Sequence, residues 1–509
     1  MRFASLTVRH VVCVASAAPL PRPWSALAAL SMLLLAGCAV GPDFKRPAAP
    51  DVKGYTAAPL ATTTASTPGV AGGAAQHFTE GANLPGDWWT LFHSKELDAL
   101  IAQSLKNNPD LKAAQAALTV AHEDMLAQRG TFYPSATFGI SGSRQRQPAV
   151  LAPVPNSNED LYSLYTTQLS IAYSPDLFGL NRRTVESLEA QEQAARFQML
   201  AAWTTLTSNV VVTAVQEAAL GAQVDATNQL VDINTRMLKI LRYLYEKGYA
   251  SEVDVSAQEA QLAQVAATQP PLAKQLEQQQ HLLAVLVGQF PAEVPTGTLA
   301  LADLQLPEDL PLSLPSKLVA QRPDVRQAEA NLHAACVEIG VTEASRLPDI
   351  ELTAGAGSTS LAFSKLFTAG TGFWGVAAAI TQPLFEGGTL MHQERAAKAA
   401  YVEASEQYRS TVLSAFENVA DTLTALDQDA KELQAAATAD RAAKKALDLT
   451  ELQEQDGYAD PLQLLNAEQT YQQAHMTLVQ AEAARFVDTA ALYQALGGGW
   501  WNHADFAGE

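Results

Sequence analysis

The chain has 509 residues, of which 48% are hydrophobic and 17% charged, and its net charge is −20. So large an apolar share is typical of an ordered protein, and the acidic excess argues against nucleic acid as a partner because phosphate backbones are also anionic. The three cysteines, Cys13, Cys38 and Cys336, predict no disulfide framework if the first is cut away and the second is modified.

Residues 1–37 have the pattern of a lipoprotein signal peptide. Arginines at 2, 9 and 22 precede a short apolar run, WSALAALSMLLLAG at 24–37, which is too short to span a bilayer stably. The run ends in LAGC at 35–38, which resembles a lipobox, so we expect Cys38 to become the lipid-attached N-terminus, carrying acyl chains such as palmitate. Ala39 favours the outer membrane, because an Asp there would resemble an inner-membrane retention signal. The mature net charge would be −23, since three basic residues are removed.

Residues 38–90 are predicted to begin with an extended N-terminal strap; the family resemblance given below implies that they end in the start of an equatorial belt. The stretch up to about Ala75 is rich in Pro, Ala, Thr and Gly, and four prolines between Pro42 and Pro59 exclude helix.

The two halves of the chain carry the same motifs in the same order. NPDL at 108–111 is matched by RPDV at 322–325, DLFG at 176–179 by PLFEGG at 383–388, and KGYA at 247–250 by DGYA at 456–459. This order predicts an internal repeat, each copy comprising a helix, two strands, a very long helix, a turn and a return helix. The expected boundaries are a first repeat at 91–290 with strands at about 134–174, an inter-repeat linker at 291–316, a second repeat at 317–496 with strands at about 348–383, and a tail at 497–509. The resemblance given below implies that the linker is equatorial.

Four segments alternate apolar residues with small or polar ones, as strands with one apolar face do. Such strands suit a transmembrane β-barrel with a wet lumen. Four strands are too few to close a barrel, and open edges are not tolerated in lipid, so several chains are predicted to share one barrel, and three copies would supply twelve strands. The apolar sets are Ala136, Phe138 and Ile140; Tyr165, Thr167, Leu169, Ile171 and Tyr173; Ile350, Leu352, Ala354 and Ala356; and Trp374, Val376, Ala378 and Ile380.

Two segments lack helix breakers over an unusual length. Residues 389–456 contain neither Gly nor Pro, and residues 181–247 contain only Gly221. As continuous helices, each would extend roughly 100 Å, whereas the average helix has about a dozen residues. The alternative is that each segment is broken into two ordinary helices by kinks that the sequence does not mark.

Several motifs belong to one recognisable set: VGPD at 40–43 with RP at 46–47, DWW at 87–89 with Phe92, LPSKLVAQRPDVRQAEANL at 314–332, QPLFEGG at 382–388 and LGGGW at 496–500. Together they resemble the TolC-like outer-membrane factor superfamily, in its lipoprotein, NodT/OprM-like branch that serves RND-type tripartite efflux systems. The resemblance covers essentially everything after Cys38. It implies an α+β membrane protein: a homotrimer whose twelve-stranded β-barrel in the outer membrane continues into a long α-helical barrel in the periplasm. A mixed belt would be built from residues near 78–95, 290–316 and the C-terminal tail.

The implied activity is passive conduction of drugs or other toxic small molecules. The implied partners are a periplasmic membrane-fusion adaptor, an inner-membrane RND-type transporter and the lipid of the outer membrane. Two alternatives remain open: a type I secretion channel for proteins, and a periplasmic coiled-coil lipoprotein without a pore.

The periplasmic gate is expected where each long helix turns into its return helix. Gly248 and Tyr249 mark the first turn, Gly457 and Tyr458 the second, with Ser251 and Asp460-Pro461 as helix starts. In the family, a leucine and one or two aspartates of the second return helix ring the aperture, and these positions correspond to Leu462, Gln463 and Asn466. Because Gln463 and Asn466 are uncharged, an acidic ring is in doubt there; Asp460, Glu252 or Asp254 would supply charge instead.

Motifs of catalysis are not found in the sequence. The histidines lack metal-ligand spacing such as HExxH, the methionines do not cluster, and no phosphate-binding glycine loop is followed by Lys. We therefore predict neither an enzymatic activity nor a metal or other cofactor.

Overall fold

The computed structural model describes residues 39–52, 54–57, 61–146, 148, 161–293 and 299–506. The predicted signal peptide and Cys38 lie outside these residues. The chain divides into two compact units. The first comprises the described residues up to Gly41 together with Thr131–Arg183 and Gly340–Leu390, and the second comprises the remainder.

Helices dominate the order of elements along the described chain. That order is β1 (His77–Glu80), α1 (Lys95–Asn107), α2 (Pro109–Arg129), β2 (Ser135–Arg146), β3 (Leu161–Tyr173), α3 (Leu180–Glu246), α4 (Glu252–Leu286), β4 (Asp309–Leu312), α5 (Pro315–Gln321), α6 (Pro323–Ala344), β5 (Asp349–Ser360), β6 (Gly372–Thr381), α7 (Thr389–Gln455) and α8 (Pro461–Ala495).

The first unit contains an antiparallel sheet with the strand order β2-β3-β5-β6. Its two central strands come from different halves of the chain, and β3 pairs with β5 over nine residues from Tyr165 to Tyr173. Strands β2 and β6 are the two edges, each with one neighbour among the described residues. The four strands lie where sequence alternation placed them.

The long helices α3 and α7 each run for 67 residues without a break. Each is therefore about 100 Å long, and neither segment is divided into two ordinary helices. On α7 the buried side chains recur at steps of three and four residues, as in Val412, Ala415, Val419, Leu423 and Leu426, which is the spacing of one packed helical face. The return helices α4 and α8 have 35 residues each.

The core of the second unit is richest in aromatic rings where α8 ends. Trp88 lies 5.2 Å from Tyr493, and Phe92 lies 6.2 Å from Phe486, measured between ring centroids. The tail joins this region through Trp500, whose indole Nε1 donates to the carbonyl of Gln321 at 2.7 Å.

Next to this core, β1 and β4 form a two-stranded parallel pair that the sequence did not predict. Parts of the three segments expected to make the belt therefore pack within one unit, while the domain boundaries given above stay predictions.

Candidate functional site

The turn between α3 and α4 is closed by hydrogen bonds of the Schellman type. Gly248 adopts φ = 79°, a left-handed conformation that favours glycine. Its N–H donates to the carbonyl of Tyr245 at 2.9 Å, and the N–H of Tyr249 donates to that of Leu244 at 2.8 Å.

The turn between α7 and α8 repeats this geometry. Gly457 has φ = 77°, its N–H donates to the carbonyl of Glu454 at 3.0 Å, and that of Tyr458 donates to Gln453 at 2.7 Å. Tyr458 is 86% exposed and its counterpart Tyr249 is 83% exposed. Each turn thus presents one tyrosine to its surroundings.

Both return helices begin with a capping box. The Ser251 hydroxyl accepts from the N–H of Asp254 at 3.2 Å, and the Asp254 carboxylate accepts from the N–H and the hydroxyl of Ser251 at 2.9 and 2.7 Å. These hydrogen bonds lower the pKa of Asp254, so the carboxylate stays ionised. Glu252 lies exposed beside it.

In the second copy Asp460 and Gln463 exchange the equivalent bonds. The Asp460 carboxylate accepts from the N–H of Gln463 at 2.8 Å, and the Gln463 amide oxygen accepts from the N–H of Asp460 at 3.3 Å. Pro461 occupies the first helical position, where its missing N–H costs nothing. Gln463 therefore helps to cap the start of α8 within the protomer.

The first two turns of α8 carry the other expected gate residues. Leu462 is half-buried and packs against a small apolar cluster of Ile233, Met237 and Leu465, while Asn466 is exposed. The structure thus brings Leu462, Gln463 and Asn466 together near the start of one helix.

Both return helices contact the last part of α3. From α4, the Gln258 amide donates to the Asn234 side-chain oxygen at 3.0 Å. From α8, Glu468 accepts from Arg236 at 2.6 Å. The two return helices therefore start at the same end of the helix bundle. Glu252 and Asp254 lie there on one side of α3, and the turn before Leu462 lies on the other.

The sheet of the first unit has two chemically different faces. Directly paired residues share a face, and the register aligns Phe138, Leu169, Ala356 and Trp374 in one row across all four strands. The next row along comprises Ala136, Ile171, Ala354 and Val376. All four apolar sets thus lie on one face, and Val376 in the second row is 75% exposed.

The opposite face carries small and polar residues. One of its rows aligns Thr137, Ser170, Gly355 and Gly375. The Gln168 side chain lies over Gly355, where an added Cβ would come within 2.9 Å of its amide nitrogen.

Sequence reasoning missed a buried arginine that joins the strap to the helices. Arg485 on α8 is fully buried, and its guanidinium donates to the carbonyls of Gly72, Ala74 and Leu426 at 3.3, 3.2 and 2.9 Å. Nearby, the Glu482 carboxylate accepts from a strap N–H at 3.1 Å. An arginine among Ala and Phe in a helical sequence was the available signal, because charged residues are almost never fully buried unless paired.

Two carboxyl groups face this arginine. Burial raises the pKa of Asp429 to about 8, and the hydrogen bond and charge of Asp488 act in the same direction, while Arg485 opposes them. Burial in turn lowers the pKa of Arg485, and the two carboxylates counter that effect. Burial thus favours the protonated form of Asp429.

Cys336 is buried, as is usual for a cysteine that packs as a small apolar side chain. Within the described ranges no group of three or more His, Cys, Asp or Glu is placed to hold a metal ion. Of the helices that the structure describes, none combines the length and the apolar character that a membrane crossing requires.

Comparison with known proteins gives a consistent result. The model of the family described as "Outer membrane efflux protein" matches residues 100–289 and 314–498. The chain is 30% identical over 487 residues to the toluene efflux pump outer membrane protein TtgC of Pseudomonas putida, covering 94% of this chain and 96% of that protein. It is 29% identical over 423 residues to the pyoverdine export outer membrane protein OpmQ of Pseudomonas putida, covering 81% and 88%.

A solved structure agrees with these relatives. The outer-membrane channel OprN is similar with a TM-score of 0.76 and 27% identity, over 91% of this chain and 100% of that one. The matches are to channel and transport proteins of the outer membrane rather than to enzymes. The chain therefore belongs to the outer membrane efflux protein family.

Proposed function

We propose that the chain is the outer-membrane channel subunit of a tripartite efflux pump. The observation that carries this proposal is the register of the four strands, which collects the apolar sets on one face and the small and polar residues on the other. An apolar face suits lipid and a polar face suits water, which is the division that a conducting β-barrel wall requires. A coiled-coil lipoprotein without a pore would have no use for such a sheet.

The pore is proposed to be completed by three copies. Strands β2 and β6 end the sheet, and unpaired edges in hydrocarbon would leave backbone N–H and C=O groups unsatisfied. The four strands alternate in direction, so β6 of one copy and β2 of the next would again be antiparallel. Three copies would close twelve strands, and their helices would form the periplasmic barrel that the family resemblance implies.

A matched pair of variants tests which face meets lipid. Val376 and Ala377 are neighbours on β6, both exposed, and belong to opposite faces. Val376→Lys is expected to cost about 2–4 kcal/mol in the membrane and to reduce the amount of heat-labile oligomer in the outer membrane. Ala377→Lys should assemble normally. Equal effects of the two substitutions would refute the assignment of the faces.

The pump partners are proposed from the relatives. A periplasmic membrane-fusion adaptor and an inner-membrane RND-type transporter would deliver small molecules, and the chain would conduct them passively. One relative is named for toluene and another for pyoverdine, so the relatives differ in the small molecules that they export. These names favour efflux over type I secretion of proteins. Deletion of the gene followed by a drug and solvent susceptibility panel distinguishes the two.

The gate is proposed at the start of α8, with Leu462 at the narrowest point and Gln463 and Asn466 next to it. The Leu462 side chain is only partly buried against α3, so it can face a lumen and at the same time stabilise the turn. Leu462→Ala is expected to raise the single-channel conductance in planar bilayers. Conductance equal to that of the wild type would refute this position. Asp460, Glu252 and Asp254 are the carboxylates proposed to give the aperture its charge.

Cys38 is proposed to carry the lipid anchor.

The internal repeat, with the boundaries predicted from the sequence, is proposed for the chain as a whole. The equal lengths of α3 and α7, and of α4 and α8, support the repeat.

A further inference from the structure

The sheet has two different ends. The segments that lead to and from the helices adjoin Ser135, Tyr173, Asp349 and Thr381, and the register places all four at one end. Strands β2 and β5 end, and strands β3 and β6 begin, at the other end, called here the distal end. If the helices occupy the periplasm, as proposed above, the distal end lies in the outer leaflet of the membrane.

The connection between β5 and β6, residues 361–371, folds back over the apolar face. Ser358 belongs to that face, two residues after Ala356, and its hydroxyl donates to the carbonyl of Leu366. The ring of Phe363 packs edge-on against Tyr165 of the same face, with 5.7 Å between the centroids. Leu366 is only 2% exposed, so the loop packs against the sheet.

The folded loop covers a hydroxyl on the apolar face of the sheet, next to a second buried hydroxyl. Thr167 and Ser358 are directly opposed across β3 and β5, and both are buried. Ser358 also contacts the Thr371 hydroxyl at 2.7 Å, and Thr371 donates to the carbonyl of Leu366 at 2.8 Å. The loop thereby removes the Ser358 hydroxyl from the surface that would meet acyl chains.

In place of that hydroxyl the loop exposes large apolar side chains. Leu361 and Phe363 are exposed, and Phe367 is 80% exposed. Of these side chains, Phe363 continues the apolar face of the sheet toward its distal end through its contact with Tyr165. Aromatic side chains at the boundary between lipid and water are characteristic of membrane proteins.

Cations accompany these apolar groups. Lys365 is exposed in the turn between Phe363 and Phe367, and Arg144 and Arg146 are exposed on the distal part of β2. Their pairing with Ser163 and Leu161 places both arginines on the apolar face. Arg144 is about 10 Å from β5, two strand spacings away.

The distal end differs in charge from the protein as a whole. The described residues 142–146, 161–167 and 356–374 contain these three cations and no Asp or Glu, in a chain whose net charge is −20. The sequence between β2 and β3 contains Glu159 and Asp160, which lie outside the described residues.

We propose that the distal apolar face is a docking surface for the phosphorylated glycolipid of the outer leaflet. Arg144, Arg146 and Lys365 bind its phosphates, and Leu361, Phe363 and Phe367 lie among its acyl chains. The inference rests on the proposed channel function, because that function makes the apolar face the lipid-facing one. Cations beside an apolar surface match a ligand that combines phosphate with hydrocarbon.

The test measures lipid binding to the purified full-length oligomer in maltoside micelles by native mass spectrometry. The probes are diphosphoryl lipid A, monophosphoryl lipid A, phosphatidylglycerol and phosphatidylethanolamine. Diphosphoryl lipid A is expected to bind at least tenfold more tightly than phosphatidylethanolamine, with an affinity that falls as salt is raised. Phosphatidylglycerol binding as tightly as diphosphoryl lipid A would overturn the assignment to a glycolipid.

The variant is Arg144→Gln/Arg146→Gln/Lys365→Gln. Its control is Lys106→Gln/Lys239→Gln/Lys317→Gln, which removes the same charge from positions on α1, α3 and α5. The first variant should lose at least tenfold in affinity for diphosphoryl lipid A and the control should lose little. Equal affinities would overturn the proposal.

Two further measurements separate this inference from its premise. Conductance in planar bilayers reports whether the protein forms a channel, so a conducting wild type without glycolipid preference overturns only the docking surface. Phe367→Ser reports whether the loop instead contacts a neighbouring copy. A lowered dissociation temperature of the oligomer with unchanged lipid binding would assign Phe367 to that contact and overturn its place in the lipid surface.

Discussion

Replacing Arg485 by Met is expected to weaken the junction between the strap and the helices more than any surface change. The guanidinium is fully buried and holds the carbonyls of Gly72, Ala74 and Leu426, which belong to the strap and to α7. Methionine fills a similar volume without a donor. Three buried acceptors and the neighbouring carboxyl pair then lose their cationic partner.

The magnitude follows from these contacts. Removing one partner of a buried charged network costs about 3–5 kcal/mol, and an unsatisfied buried polar group costs about 1–3 kcal/mol. Taking about 3 kcal/mol and an unfolding entropy of about 2.1 cal/mol/K per residue, which for a chain of 509 residues corresponds to roughly 1 °C per kcal/mol, the apparent melting temperature should fall by about 3 °C. Arg485→Lys keeps the charge but not the planar fork of donors, so an intermediate value is expected.

The assay follows helical circular dichroism of the purified oligomer on heating at a fixed scan rate, because unfolding of a membrane oligomer is often irreversible. Arg236→Met is the matched control. Arg236 is mostly exposed and pairs with Glu468 at 2.6 Å, and such surface pairs contribute about 0–1 kcal/mol. If Arg485→Met melts within about 1 °C of Arg236→Met, the buried arginine does not join the strap to the helices as described.

Two further predictions concern protonation and backbone conformation. The pKa of Asp429 is raised by burial and by Asp488 to about 8, against about 4 in an unfolded chain, so the contribution of Asp429 to stability should be full below about pH 4 and should be lost as the pH rises toward 8. Melting temperatures between pH 5 and 8.5 should decline less for Asp429→Asn than for the wild type, and parallel curves would contradict the raised pKa. For the backbone, Gly457→Ala should lower the free energy of unfolding by about 1 kcal/mol, because alanine resists φ = 77°. Gly221→Ala lies inside α3 with open space around it and should raise the free energy of unfolding by about 0.5–1 kcal/mol. Melting temperatures that shift in the same direction for both variants would contradict this contrast.

The sequence by itself determined the elements whose physics is local. A run without Gly or Pro is enough to predict α7, and alternation of apolar and small residues is enough to predict β5 and β6, because side chains alternate between the faces of a strand. Capping at Ser251 and Asp460 was readable for the same reason, since the hydrogen bonds join residues only three positions apart.

Only the tertiary structure decided how distant residues meet. Local sequence patterns do not predict that β3 pairs with β5, that Leu366 folds over Ser358, or that Arg485 lies under the strap. These contacts join residues far apart in the chain or depend on the path of a loop. The apolar sets of the four strands were each visible in the sequence. Their alignment on a single face was not, because register is fixed by the pairing of backbone groups and a slip of one residue would turn a whole set to the other side.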